Sequence, residues 1–221
     1  MAVRDSFDSE TDLHEIAKKS GQIITFTSVA TGDEVSFPAF INQFSDDYQV
    51  GWTGDTVFGR TDPIKHYTAT TRRIQAGFDV LARNRETAVE NFAKLGLLTR
   101  MMYPVYSEPL GADENNARTI VAAPLMRVKY ANYIRSSANP GGLLGCMGGF
   151  SFNPDFAGGH FLNRSNEMVP LKFSLNFVFE PIHEKPLGFD KSGQFLDETH
   201  PWNQTGPTKG IKTPANGGSL E

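Results

Sequence analysis

Two stretches of the chain alternate apolar and polar positions strictly enough to be strands. In the first, residues 71–81, Ile74, Ala76, Phe78 and Val80 alternate with Arg73, Gln75, Gly77 and Asp79. In the second, residues 169–181, Leu171, Phe173, Leu175, Phe177 and Phe179 face one way, while Lys172, Ser174, Asn176 and Glu180 face the other. A period of two places successive side chains on opposite faces, so each stretch has one face for a core and one for water. The second is long for a globular strand. Residues 23–29 and 34–41 are β-branched or aromatic runs separated by Thr31-Gly32-Asp33, which predicts a hairpin. Met126, Val128 and Tyr130 after Pro124 predict a further strand, and residues 148–152 another. Asp46-Asp47 and Trp52-Thr53-Gly54-Asp55 predict loops or turns around short extended pieces at 48–52 and 56–59.

One long helix is expected, over residues 85–95. Asn84 suits its N-cap, Glu86 its first turn, and Ala88, Phe92 and Leu95 one stripe, with Gly96 as terminator. Ser9-Glu10-Thr11-Asp12, followed by Leu13, Ile16 and Ala17, predicts a second, short helix. At about ten residues it forms only by docking. After Phe189 apolar residues give way to Gly, Pro, Asn and Thr. The expected organisation is an N-terminal arm at 1–21, a β domain at 22–190 and an extended tail at 191–221. The fold class is mainly β, with one main flanking α-helix and extended terminal arms.

Composition narrows the function classes. The 221 residues carry 21 basic and 25 acidic side chains, a net charge of -4, which disfavours nucleic acid as the main partner. Seventeen phenylalanines are enough for a core, and a single cysteine excludes an internal disulfide. No run of 18 apolar residues occurs and the first twenty residues are polar, so the expectation is a soluble protein with no membrane insertion.

Candidate chemistry is sparse. His14, His66, His160, His183 and His200 are scattered, without the paired spacing of a metal site. His183 precedes Glu184, but neighbours on a strand point to opposite faces, which favours a structural histidine over a base with a carboxylate partner. Cys146, in Gly-Cys-Met-Gly-Gly, suits a small buried hydrophobe or an unreactive thiol. The Gly-Ile-Lys-Thr ending of residues 206–213 lacks the Gly-Lys junction of a phosphate loop, no Gly-x-Ser-x-Gly elbow occurs, and Asp113-Glu114 lies in loop-like sequence. Arg72-Arg73 and Lys65-His66-Tyr67 could stack on single-stranded nucleic acid, but a solvated strand face or a subunit contact suits them better. No catalytic, metal or cofactor site is expected.

One set of residues has a family likeness. Phe37-Pro38-Ala39-Phe40, Phe44-Ser45-Asp46, Trp52, the run Val57-Phe58-Gly59-Arg60-Thr61-Asp62-Pro63-Ile64, Tyr67 and Thr71-Arg72 follow in order. Asn91-Phe92-Ala93-Lys94-Leu95, Tyr103-Pro104-Val105-Tyr106, Ala123-Pro124-Leu125 and Leu187-Gly188-Phe189-Asp190 continue the series. Together, over residues 37–190, the chain resembles the tube-initiator proteins of contractile phage baseplates. That resemblance implies a β-sandwich or barrel of the tail-tube type. It also implies a homohexameric ring that joins the baseplate hub to the tail tube and initiates tube polymerisation. The implied partners are hub proteins, the adjacent tube ring and the tape-measure protein, with transient passage of genomic DNA. The implied location is the virion, after assembly in the host cytoplasm. In such a ring Gln75, Asp79, Lys172, Ser174, Asn176 and Glu180 are the lumen-facing candidates. Trp52, Phe58, Arg60, Asp62, Tyr67, Arg72, Tyr103, Tyr106 and Trp202 are the subunit-interface candidates. The rival classes are a particle-associated cell-wall hydrolase and a single-stranded nucleic-acid-binding module.

Overall fold

The structure, a computed structural model, describes residues 21–109, 117–162, 167–197 and 200–202. The short helix expected near the N-terminus and most of the expected tail lie outside the described residues. Within them the fold is mainly β, with eleven strands and one helix. In chain order these are β1 (Ile23–Ser28), β2 (Glu34–Pro38), β3 (Phe40–Asp55), β4 (Ile64–Leu81), α1 (Arg85–Arg100) and β5 (Val105–Tyr106). There follow β6 (Ile120–Ala122), β7 (Leu125–Tyr130), β8 (Leu143–Pro154), β9 (His160–Leu162), β10 (Met168–Pro170) and β11 (Lys172–Pro181). Seven strands form one antiparallel sheet in the order β2-β1-β7-β8-β11-β4-β3, while β9 with β10 and β5 with β6 make two-stranded sheets.

The large sheet is folded on itself. Phe37 on β2 and Phe78 on β4 are five strand positions apart, about 24 Å on a flat sheet at the usual strand spacing, yet their ring centroids lie 6.1 Å apart. Phe26 and Phe177 complete the aromatic centre, 5.4 Å apart and edge to face. The chain shows how the curl is held: β2 and β3 are the two edges of the sheet, and only Ala39 separates them. The Ala39 N–H donates to Gln22 O at 2.8 Å and the residue is buried, so the two edges meet at a tight corner.

Helix α1 closes the core from the side. Asn84 caps it by accepting from the Thr87 N–H at 2.7 Å. Ala88, Asn91, Leu95 and Leu98 are its buried positions. The helix does not stop at Gly96 as expected. Leu98 and Met101 are buried in the core and Leu97 packs against it, and their burial outweighs the roughly 1 kcal/mol that glycine costs inside a helix.

Four further expectations are corrected. Asp46-Asp47 and Trp52-Thr53-Gly54-Asp55 are not loops: β3 runs through both, paired with β4, because Asp46 turns inward to a cation and the glycines are absorbed at an edge with a bulge after Gly51. The strand expected at 71–81 starts at Ile64. The strand expected at 169–181 is divided at Leu171, whose N–H donates to Gly159 O and whose carbonyl accepts from Ala82, so Val169 pairs in β10 and only β11 joins the large sheet. Cys146 is exposed rather than buried, because β8 begins at Leu143 and its alternation turns Leu143 and Gly145 inward and Cys146 outward.

Candidate assembly surfaces

Opposite the phenylalanines the sheet presents a largely polar face, interrupted by Val178. Phe173, Leu175, Phe177 and Phe179 on β11 are buried, and Lys172, Ser174 and Asn176 alternate with them on the other side. Register places Ser174 beside Asp79, Asn176 beside Gly77 and Val178 beside Gln75. The six lumen-facing candidates, Gln75, Asp79, Lys172, Ser174, Asn176 and Glu180, therefore share one face of two adjacent strands. The Asp79 carboxylate is the hub of this face. It accepts from Ser174 Oγ at 2.6 Å and Asn42 Nδ2 at 3.0 Å, and pairs with Lys172 Nζ at 3.0 Å. Those contacts, Ser174's hydrogen bond first, hold its carboxyl below the usual aspartate range against the opposing effect of desolvation. Beside it, Gly77 leaves room for two carboxamides: a Cβ there would overlap Asn176 Oδ1 and stand 2.8 Å from Asn42 Oδ1. Gln43, Gln75, Ser151 and Asn176, together with the apolar Phe150 and Val178, line a groove of about 350 Å³ on the same face.

The second surface is a ribbon that leaves the body. Strand β4 pairs with β11 only over Ile74–Leu81, whereas its pairing with β3 continues from Gln49↔Thr71 to Asp55↔Ile64. That adds about 20 Å of two-stranded ribbon at the normal rise. Every residue from 47 to 71 except Pro63 is exposed. Trp52 and Tyr67 pair across it, edge to face at 5.7 Å. At the tip Arg60 N donates to Val57 O, and Gly59 takes the positive φ of 81° that favours glycine. Phe58, beside it, is as exposed as a free side chain, at 106%. The interface candidates Trp52, Phe58, Arg60, Asp62 and Tyr67 all lie on this ribbon. Tyr103 and Tyr106 are also exposed, but they follow α1 and belong to a different part of the surface.

Arg72 is not a surface residue. It shares the parity of Ile74 and Ala76 on β4, so it points inward and is 4% exposed. An inward guanidinium requires a partner, and Asp46 supplies two hydrogen bonds where the ribbon joins the body. Tyr48 stacks by this pair, its ring 5.4 Å from the guanidinium carbon. Burial first, and then Asp46 against Arg72's opposing charge, push the Tyr48 hydroxyl up to about 12. Trp202, the last interface candidate, lies on the same cluster and donates to Asp46 Oδ2 at 3.2 Å. That Asp46, Tyr48, His200 and Asp197 gather around Arg72 was not read from the sequence. The available signal was the parity of Arg72, which demanded an inward carboxylate from a neighbouring strand. The Glu184 carboxylate is engaged by Arg127 at 2.7 and 2.8 Å rather than serving His183.

Among the described residues no group of three or more His, Cys, Asp and Glu side chains is placed to hold a metal, and no helix is long and apolar enough to cross a membrane. No protein-family model and no curated protein matches the chain.

Proposed function

We propose that this chain is a structural ring subunit of a contractile phage tail, the tube initiator that joins the baseplate hub to the tail tube. The observation that carries this reading is the ribbon. A two-stranded hairpin is marginal in water by itself, and this one exposes Val50, Trp52, Phe58, Ile64 and Tyr67 with no covering element among the described residues. Such a surface suits burial against other subunits. The polar face supports the same reading. Carboxamides and hydroxyls, with the Asp79 charge locally neutralised by Lys172, suit a wet channel wall with little hold on passing phosphates. In this role six copies close a tail-tube type ring, the wall faces a lumen for genome and tape-measure protein, and the chain performs no catalysis. Its partners are hub proteins and the adjacent tube ring, and its place is the virion.

The test is assembly of the purified chain, followed by mass photometry and symmetry-resolved electron microscopy. A hexameric ring that nucleates tube subunits is the expected result. A monomer at every concentration, with no effect on tube polymerisation, would remove the proposal. Cell-wall zymography and salt-dependent binding of single-stranded DNA on the same sample address the two rival classes.

A further inference from the structure

After β11 the chain turns back across the base of the ribbon. Ile182 N donates to Leu144 O, Phe189 and Phe195 bridge around a tight turn at Asp190, and residues 195–197 and 200–202 then reach the Arg72–Asp46 pair. Polar contacts tie this segment down, among them Ser137 Oγ donating to Asp197 Oδ2 at 2.6 Å and Trp202 Nε1 donating to Asp46 Oδ2 at 3.2 Å. Between them sits the His200 ring, 6.0 Å from Phe195, 6.2 Å from Tyr48 and 5.3 Å from the His183 ring. His183 Nε2 is fully buried and has no hydrogen-bond partner. The adjoining cavity measures about 20 Å³, room for about one water and far too little to hydrate a charge.

We propose that this segment is an acid-released strap: at neutral pH the uncharged rings of His183 and His200 seat it on the Arg72–Asp46 pair, and their protonation unseats it and frees the base of the ribbon.

The charges around the two rings give the sign. Arg72 approaches from β4, and Arg135 and Lys185 also line the cavity. Against these stand Asp46 on β3, Glu184 and Asp197, but Asp46 is engaged by Arg72 and Glu184 by Arg127. Tyr48, from β3, stays neutral through this range. Burial first and Arg72 second lower both histidines, and for His200 the neighbouring His183 adds to the effect, while Asp197 and Asp46 pull the other way. With the strap released, both rings are in water and titrate near their ordinary value of about 6.5. The released form then binds more protons below that pH, so seating weakens as pH falls, by up to about tenfold per proton per pH unit.

The experiment uses the full chain with Trp52→Phe, which leaves Trp202 as the sole tryptophan. From pH 8 to 5 its emission should shift to the red and its quenching by acrylamide increase, with a midpoint below about 6.5 and an unchanged far-ultraviolet circular dichroism spectrum. His183→Gln with His200→Gln should abolish the transition. Constant emission in the parent, or the same transition in the double variant, would overturn the strap. The second measurement needs no histidine substitution. Hydrogen exchange of the unaltered chain, corrected for intrinsic rates, should show protection lost at the Asp46 and Arg72 amides between pH 7 and 5.5 while β11 keeps its own. Equal protection at both pH values would also overturn it.

Discussion

Arg72 donates from Nε and Nη2 to the two carboxylate oxygens of Asp46, at 2.8 and 2.7 Å, with both side chains nearly removed from water. A buried pair of this kind is costly to break from one side, because the remaining charge keeps its desolvation penalty. Asp46→Ala should therefore destabilise the chain by about 3–5 kcal/mol in urea denaturation. The joint replacement Asp46→Leu with Arg72→Met should recover most of that loss. A single variant as stable as the parent would show that the pair is not sealed from solvent.

The two faces of β11 should respond very differently to truncation. Phe177 packs on Phe26 and Phe78 and is 4% exposed, so Phe177→Ala should cost about 3–5 kcal/mol. Asn176, its neighbour, faces away from that core. Asn176→Ala should cost less, and the reverse ranking in chemical denaturation would contradict the strand's phase.

Tyr48 sets an alkaline limit on stability. Its pKa is raised from 10 to about 12, so the folded state holds a proton that the unfolded state loses. That contribution is complete below pH 10 and disappears as pH rises through 12. Urea midpoints should fall between pH 9.5 and 11.5, and fall less in Tyr48→Phe. Tyr130 is also raised, by burial first and Tyr133 second, so some slope should remain in that variant.

The proposed channel wall is best tested at Glu180, not at Asp79. Asp79 is held by Ser174, Asn42 and Lys172, so reversing its charge would dismantle a network as well as alter the wall. Glu180 is exposed on the same face. In particles, Glu180→Arg should leave ring assembly intact and slow genome ejection, with the defect easing at high salt. Ejection at the parental rate would count against a lumenal position for this face.

Substitutions on the ribbon should separate folding from assembly. Phe58→Ser and Tyr67→Ser touch no residue of the main core. The melting temperature of the monomer should stay within about 2 °C of the parent, since surface changes usually lie within about 0.5 kcal/mol. Ring formation by mass photometry should fall at least tenfold. Unimpaired rings would move the subunit contact elsewhere.

Much of the body was legible in local pattern. The alternation of Ile74 to Val80 and of Phe173 to Phe179 set both strand phases, and Asn84 marked the helix start, because these signals act over one or two residues. What was not legible depended on partners distant in sequence. Asp46-Asp47 looks like a turn until Arg72 is known to sit one strand away with its side chain inward. Gly96 looks like a terminator until the core is seen to need Leu98 and Met101. Residues 171 and 172 look continuous until Gly159 takes the Leu171 N–H. Arg72, expected on a surface for partners, is instead buried on Asp46, where it meets the still-exposed Trp202, 156 residues after Asp46.

The position of β11 also governs the order in which the chain can fold. It is the last of the sheet's strands to be synthesised, yet it lies in the middle, between β8 and β4. Until residues 172–181 emerge, those two strands have no bridge, and Phe26 and Phe78 lack the Phe177 ring that packs on both. The ribbon, made from strands adjacent in sequence, can pair long before that. Pairings of such long sequence separation are slow to form and leave apolar surface exposed meanwhile. A nascent chain stalled before residue 172 should therefore carry a formed β3–β4 hairpin on an open, chaperone-binding body, which closes only when its central strand arrives.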